Sequence, residues 1–165
     1  MSDLLVILLL ILLNGLFAMS EIALLSAKKV KLQKAGSKGS KAARIALKLS
    51  EQPDKFLSTI QIGITLIGIL TGIFSSDMLA KSFGDLLVEN GVAASIAYKL
   101  AQGIIVVIVT YVSIVLGELF PKRIGLNMAD KAATAVAIPM RILSIIAMPF
   151  VWILAKSTQG LLWVF

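Results

Sequence analysis

The chain contains no cysteine and no histidine in its 165 residues, and these two absences limit its chemistry. Without cysteine it has neither disulfides nor thiolate metal ligands. Without histidine it lacks the commonest transition-metal ligand and the usual general base. Any bound metal must therefore be a hard cation held by oxygen atoms. The sequence also contains no Gly-rich phosphate loop and no nucleophile with a matching base, so we predict that it is not an enzyme.

Charged residues are scarce at 15%, whereas 58% of the residues are hydrophobic and the mean hydropathy is +0.96. This composition is too apolar for a soluble domain of such a length, which has room for one domain only. The net charge of +7 is compatible with nucleic-acid binding in principle. However, the basic residues concentrate in residues 28–55, which contain neither stacking aromatic residues nor a known nucleic-acid-binding motif. We therefore predict a membrane protein that binds no nucleic acid.

Three apolar segments are each long enough to cross a bilayer, which takes about 20 residues. They are Leu4 to about Ala27, Phe56 to Phe74, and about Ala97 to Phe120. The first segment follows Asp3 rather than a basic stretch, so it is predicted to be a retained helix and not a signal peptide. The second begins after Pro53, whose fixed φ suits a helix start.

The C-terminal part of the chain has a shorter apolar stretch. Only 14 uncharged residues separate Arg141 from Lys156, and Pro149 interrupts them. This length favours an interfacial or re-entrant helix, and Trp152 and Trp163 are typical of the membrane interface. The predicted fold is therefore an all-α membrane protein with three transmembrane helices plus amphipathic juxtamembrane or interfacial helices.

The distribution of charge predicts the orientation in the membrane. Residues 28–55 carry nine basic residues, which places them in the cytoplasm next to anionic lipid headgroups. Within them, Ala42 to Leu49 is predicted to form a short amphipathic helix after a flexible break at residues 36–40. The connection from Ser75 to about Tyr98 is net negative and is predicted to lie outside. The N-terminus would then lie outside and the C-terminus in the cytoplasm of a multi-pass protein of the cell membrane.

Glu118 is the strongest candidate for a functional residue. It follows an uncharged run from Gly103 to Leu116, and a carboxylate in hydrocarbon costs about 3 kcal/mol or more. Pro121 removes a backbone donor and frees a carbonyl one turn earlier, near Gly117. A carboxylate beside such a carbonyl suits a desolvated cation. The alternative is a carboxylate at a helix end that pairs with Lys122.

Polar residues of the other segments are predicted to share the depth of Glu118. Glu21 lies toward the cytoplasmic half of the first segment, and Ser58 and Gln61 lie near the cytoplasmic start of the second. Ser58 and Gln61 also begin a stripe at helical period that continues through Thr65, Gly68 and Gly72. We therefore expect Glu21, Ser58, Gln61 and Glu118 to converge in a pocket that suits Mg²⁺, Na⁺ or an organic ammonium.

Three stretches of the chain, in this order, resemble one known family. They are Asn14 to Leu24, Phe56 to Gly63 and Gly117 to Arg123. The chain resembles the membrane domain of the CNNM/CorC (hemolysin-like) magnesium and cobalt efflux family over residues 1–165. The resemblance implies a single transmembrane domain without the family's cytoplasmic CBS and C-terminal domains. It also implies a homodimer in the cell (inner) membrane that exports Mg²⁺ in a Na⁺-linked process, with Glu118 and Gly117 as ligands of the transported ion.

Two positions depart from the family's pattern, which affects the expected substrate. Ala18 and Ile64 occupy the positions of a serine and an asparagine that ligate Mg²⁺, although backbone carbonyls near Gly117 and Ala18 remain. A branch of the family that shares Ser20-Glu21 and the stretch around Gln61 is implicated in export of polyamines such as putrescine and cadaverine. Mg²⁺ export is the first expectation because the family is broad. Polyamine export is the alternative, and a non-transporting sensor or scaffold is the alternative from another class.

Overall fold

The computed structural model describes residues 2–162, which are mostly helical and contain no strand. Eight α-helices follow one another along this part of the chain: α1 Ser2–Ser26, α2 Lys29–Ser37, α3 Lys41–Glu51, α4 Pro53–Phe74, α5 Lys81–Glu89, α6 Ala94–Ile114, α7 Phe120–Asn127 and α8 Ala129–Leu162. A π-helical segment, Ser75–Ala80, joins α4 to α5, and a second one, Val115–Leu119, joins α6 to α7. The predicted all-α class is confirmed. Trp163 lies outside the described residues.

The basic stretch folds as predicted, with a break before an amphipathic helix. Gly39 has a φ of +100°, which favours glycine and ends the turn after α2. The hydroxyl of Ser40 then accepts a hydrogen bond of 3.2 Å from the backbone N–H of Ala43 and caps α3. Along α3, Ala43 and Ala46 are buried, whereas Arg44 is exposed.

Four helical stretches are long and apolar enough to cross a membrane: Leu4–Ser26, Pro53–Glu89, Ala94–Asn127 and Ala129–Leu161. The first three correspond to the predicted spans and confirm a multi-pass membrane protein. The connection expected from Ser75 to Tyr98 is itself mostly helical, because the π segment and α5 continue α4 without a turn. In the same way, the third predicted span extends beyond Phe120 through α7.

The fourth stretch differs from the expectation of a short interfacial helix. Residues Ala129–Leu162 form a single helix of 34 residues that contains both Pro139 and Pro149. A proline removes only one backbone donor, and helices in apolar surroundings tolerate it. Only 14 uncharged residues separate Arg141 from Lys156, but the helix continues past both charged residues. The fourth helix is a candidate span by length and composition, so the number of three spans stays a prediction.

The chain divides into two compact units. The first unit comprises Met1–Ala18 and Ile64–Pro121. Its buried side chains come from the start of α1, the second half of α4 and the beginning of α6. Tyr98 on α6 packs against Gly84 on α5, where a side chain would collide with the ring. The Tyr98 hydroxyl also donates a hydrogen bond of 2.6 Å to Asp85, which holds α5 against α6.

The second unit comprises Met19–Gly63 and Lys122–Phe165. In it, α3 packs along α8, and α2 also contacts α8. Small residues permit this close packing, because Ala43 and Ala46 of α3 and Ala133 and Ala137 of α8 are fully buried.

Candidate functional site

The first unit contains a cavity of about 320 Å³. It lies between residues 11–14 of α1, residues 64–75 of α4 and its π segment, and residues 106–118 of α6 and the second π segment. Its polar lining consists of six side chains: Asn14, Thr71, Ser75, Thr110, Ser113 and Glu118. The cavity therefore combines one carboxylate with one amide and four hydroxyl groups in otherwise apolar surroundings.

Both π segments contribute to this cavity. Ser75 is the first residue of one of them, and Glu118 lies within the other. Single π turns in membrane and soluble helices are rare and occur frequently at functional sites. A π turn widens the helix locally and rotates the residues within and after it. Glu118, the carboxylate predicted to be functional, lies within such a turn.

Asn14 links α1 to the π segment that contains Glu118. Its Nδ2 donates a hydrogen bond of 2.9 Å to the backbone carbonyl of Gly117. Pro121, four residues after Gly117, has no N–H to offer that carbonyl. The carbonyl of Gly117 thus accepts a side-chain hydrogen bond at the position where Pro121 cannot supply the usual i+4 donor.

The other side of the Asn14 amide has an unused acceptor. Asn14 Oδ1 is buried and receives no hydrogen bond from the residues that the structure describes. A buried amide oxygen without a donor is costly, and a donor or cation in the adjoining cavity would remove that cost. Asn14 and Glu118 line the same cavity, so its wall contains an amide and a carboxylate.

Two hydroxyl groups that line the cavity, one on α4 and one on the π segment after it, donate their protons within their own helices. Thr71 Oγ1 donates to the carbonyl of Ile67 over 2.8 Å, and Ser75 Oγ donates to the carbonyl of Gly72 over 3.0 Å. Both side chains are buried, at 7% and 4% relative exposure. Because each hydroxyl proton is used within the helix, the lone pairs of the oxygen remain for a donor in the cavity.

Glycines allow α1 to pack closely on the chain around Glu118. A Cβ atom on Gly15 would lie 2.8 Å from Pro121 Cγ and 3.0 Å from the Leu116 carbonyl oxygen. A Cβ atom on Gly117 would lie 3.3 Å from Asn14 Nδ2 and from the Ile11 carbonyl oxygen. These two glycines thus permit the approach that brings Asn14 to the Gly117 carbonyl.

Three of the predicted site residues belong to the first unit. Glu118 lines the cavity, and Gly117 beside it is buried and accepts the bond from Asn14. Ala18 is buried at 1% relative exposure and does not belong to the cavity lining. Ile64, which stands where the resembling family has an asparagine ligand, does line the cavity.

The other predicted site residues belong to the second unit. Glu21 pairs with Lys122, with 3.7 Å between Oε2 and Nζ, and Ser20 is fully buried. Ser58 Oγ donates a hydrogen bond of 2.8 Å to the carbonyl of Asp54 in its own helix, and Gln61 is exposed. The convergence of Glu21, Ser58 and Gln61 with Glu118 stays a prediction.

The sequence pattern does not point to Thr71, Ser75, Thr110 or Ser113, and it does not assign Asn14 to the site. The polar stripe predicted on α4 contained part of the signal, because Gly68 and Gly72 line the cavity. Extending that stripe by one turn reaches Ser75. Thr110 and Ser113 on α6 belong to no recognisable sequence pattern, because single hydroxyl residues are common in apolar helices.

Acidic residues are not clustered as they would be in a dedicated metal site. Among the described residues, no group of three or more acidic, histidine or cysteine side chains is placed to hold a metal ion. The oxygen ligands of the cavity are a single carboxylate, an amide and hydroxyls.

The basic stretch of the second unit is anchored by an acidic residue at the start of α8. Asp130 Oδ1 accepts a hydrogen bond of 2.8 Å from the backbone N–H of Lys28, and its Oδ2 accepts one of 2.7 Å from Lys31 Nζ. These bonds fix the beginning of α2 against α8. Lys29 and Lys34 of α2 are exposed.

Comparison with known proteins gives consistent results over nearly the whole chain. Residues 5–165 match the CNNM family model, described as the Cyclin M transmembrane N-terminal domain. The chain is similar to the UPF0053 protein sll0260 of Synechocystis sp., at 41% identity over 99% of this chain and 36% of the relative. It is also similar to the polyamine export proteins of Haemophilus influenzae and Escherichia coli, at 32% identity over 87% and 92% of this chain. The chain spans about a third of the length of these relatives, 33–36%.

Proposed function

The chain belongs to the CNNM family of Cyclin M transmembrane domains, and on this basis we propose that it exports a cation across the membrane by way of the cavity in its first unit. The observation that supports this most directly is that Glu118 lines the same cavity as Asn14, whose buried Oδ1 receives no hydrogen bond from the described residues. An ionisable residue within an apolar span is rare and typically marks the pathway of an ion or a charged substrate.

We propose an organic ammonium, of the polyamine class, as the substrate that the site suits best. An ammonium group offers three donors, which match a carboxylate, an amide oxygen and hydroxyl oxygens without strict geometry. The volume of about 320 Å³ is also within the range of sites for small organic ligands. Two relatives at 32% identity are named polyamine export proteins, which supports the same class.

Mg²⁺ is the second candidate, because the resemblance to a magnesium efflux family implies it. Mg²⁺ requires nearly octahedral coordination by oxygen at short distances. Ile64 contributes no oxygen ligand to the cavity, and Ala18 supplies no side-chain oxygen at the other family position. Glu118 and the Gly117 carbonyl would have to hold a largely hydrated ion.

We further propose three spans, a homodimer, and contact between residues 28–55 and anionic headgroups on the cytoplasmic side. The nine basic residues of this stretch support the lipid contact, because each lysine near an anionic surface contributes about 1 kcal/mol. Phosphatidylglycerol should therefore raise the melting temperature of the purified chain more than phosphatidylcholine does.

Cross-linking in membranes would test the proposed homodimer. Detection of monomer alone at every cross-linker concentration would refute it.

The Glu118→Gln variant tests the proposed function, with Glu89→Gln as a matched control. Glu89 is an exposed carboxylate at the end of α5 and does not line the cavity. We expect Glu118→Gln to remain folded and to lose binding of putrescine by calorimetry and its efflux from proteoliposomes, whereas Glu89→Gln keeps both. Unchanged binding in Glu118→Gln would refute a role for this carboxylate in the site. If the natural chain responds neither to putrescine nor to Mg²⁺, the chain acts as a sensor or scaffold instead.

A further inference from the structure

The cavity of the first unit is elongated along the helices that line it. Its residues on α4 and the first π segment extend from Ile64 to Ser75, a distance of about 16 Å at the helical rise of 1.5 Å per residue. On the other side they extend over a similar length from Val106 to Glu118. A cavity of this shape exceeds what one ammonium group or one metal ion requires.

The two ends of the cavity differ in chemistry. The stretch that connects α4 to α6 starts at Ser75, so Ser75 and Val106 lie toward that connection and Ile64 and Glu118 lie away from it. The end with Glu118 also contains Asn14 with its unsatisfied Oδ1. The other end contains the buried hydroxyls of Thr71 and Ser75.

The hydroxyl end is built to accept hydrogen bonds. Thr71 and Ser75 donate their protons to helix carbonyls, so their oxygens can act only as acceptors for a further partner. Thr110, on the facing helix α6, lines the same cavity and adds a third oxygen. An ammonium group has three donors and no acceptor, which is the complement of this end.

We propose that the cavity binds a linear aliphatic diamine lengthwise, with one nitrogen at Glu118 and Asn14 and the other at Thr71 and Ser75. This inference rests on the proposed function and specifies its substrate class. The apolar residues between the two ends, such as Ile67, would contact the methylene chain. The hydroxyl end then makes the site selective for a second amine, whereas the carboxylate end binds any alkylammonium.

The test compares putrescine with n-butylamine, which has the same carbon chain and lacks the second nitrogen. Calorimetry on the purified chain should give putrescine an affinity about tenfold higher, the usual effect of hydrogen bonds to a charged group. The double variant Thr71→Val/Ser75→Ala should reduce this ratio to about one and leave n-butylamine binding unchanged. Unchanged n-butylamine binding also reports that the variant is folded, and Ser75→Ala alone should give an intermediate ratio.

A closely matched control exists within the chain. Thr59 is buried on α4 and Ser50 lies on α3, and their hydroxyls donate to the carbonyls of Lys55 and Leu47, four and three residues earlier, as those of Thr71 and Ser75 do. Neither residue lines the cavity, so Thr59→Val/Ser50→Ala should keep the tenfold preference. Equal affinities for the two amines in the natural chain, or an unchanged ratio in Thr71→Val/Ser75→Ala, would overturn this inference alone. Absence of binding by both amines would overturn the proposed polyamine substrate as well.

Discussion

The side-chain amide of Asn14 donates a hydrogen bond of 2.9 Å to the backbone carbonyl of Gly117 and so connects α1 to the π segment that contains Glu118. Gly117 is buried, and Pro121 leaves its carbonyl without the usual partner four residues later. The other end of the same amide, Oδ1, is buried without a hydrogen bond from the described residues, and Asn14 lines the cavity. Asn14 therefore holds the backbone beside Glu118 in position and contributes to the cavity.

Replacing Asn14 with Leu should destabilise the chain. The buried Gly117 carbonyl would lose its donor, which costs about 1–3 kcal/mol. Removal of the unsatisfied Asn14 Oδ1 offsets part of this cost, so we expect a net loss of about 1 kcal/mol. Thermal unfolding in detergent, followed by circular dichroism, would measure this loss. Asn127→Leu is the control, because Asn127 is exposed at the end of α7 and should change the stability by no more than about 0.5 kcal/mol. Equal melting temperatures for the two variants would mean that the Asn14 bond contributes nothing to stability.

Filling the cavity from α4 should abolish ligand binding without unfolding the chain. Gly68 lines the cavity, and a Cβ atom there meets no atom within 4 Å, so Leu has room to enter. Gly103 on α6 also has no atom within 4 Å of such a Cβ but does not line the cavity. Leu is the better helix former by nearly 1 kcal/mol at either position, so neither variant should lose stability.

Putrescine titration of Gly68→Leu and Gly103→Leu therefore separates occlusion of the cavity from general effects of a larger residue. We expect at least about a tenfold loss of affinity, equivalent to 1.4 kcal/mol, in Gly68→Leu and an unchanged affinity in Gly103→Leu. Normal binding by a folded Gly68→Leu protein would mean that the ligand binds elsewhere on the chain.

Sequence patterns predicted where helices begin better than where one helix continues into the next. The apolar runs, Pro53 and the polar break at Gly39 each predicted a helix boundary that the structure has, because these signals act locally. The helical continuation beyond Phe74 was missed, since a π turn has no sequence signature that separates it from α-helix.

The candidate site was predictable to the extent that it depended on one costly residue. Glu118 stands out because a charge in an apolar run is expensive, and the structure has it in the cavity wall. The other residues that line the cavity depend on which helices pack together and at what register. Threonine and serine are common in membrane spans, so no sequence pattern distinguishes Thr110 and Ser113 from other residues of α6.

The predicted topology can be tested by cysteine labelling, because the natural chain contains no cysteine. The net charge of each connection predicts that residues 28–55 are cytoplasmic and residues 76–97 lie outside. An impermeant thiol reagent applied to intact cells should then label Asp85→Cys and not Lys38→Cys. Both positions are exposed, so lack of labelling at one of them reports its side of the membrane rather than burial. Labelling of Lys38→Cys but not Asp85→Cys in intact cells would show that the protein has the opposite orientation in the membrane.

The choice between Mg²⁺ and a polyamine depends on oxygen atoms at two positions, so adding them should change the specificity. Ile64 lines the cavity, and Ile64→Asn places an amide oxygen there, while Ala18→Ser adds a hydroxyl in the buried part of α1. Each added oxygen replaces a water molecule that Mg²⁺ gives up reluctantly. We expect the double variant to bind Mg²⁺ about tenfold more tightly than the natural chain does, a change of about 1.4 kcal/mol. Thermal-shift titration would detect this, since a ligand of the folded state raises the melting temperature by mass action.

The control for this double variant is Ala147→Ser with Ile142→Asn on α8. It adds the same groups at positions that do not line the cavity and should have no effect on Mg²⁺ binding. Tight Mg²⁺ binding by the natural chain would instead mean that carbonyls and hydroxyls already complete the coordination shell, and Mg²⁺ would then replace the polyamine as the first candidate.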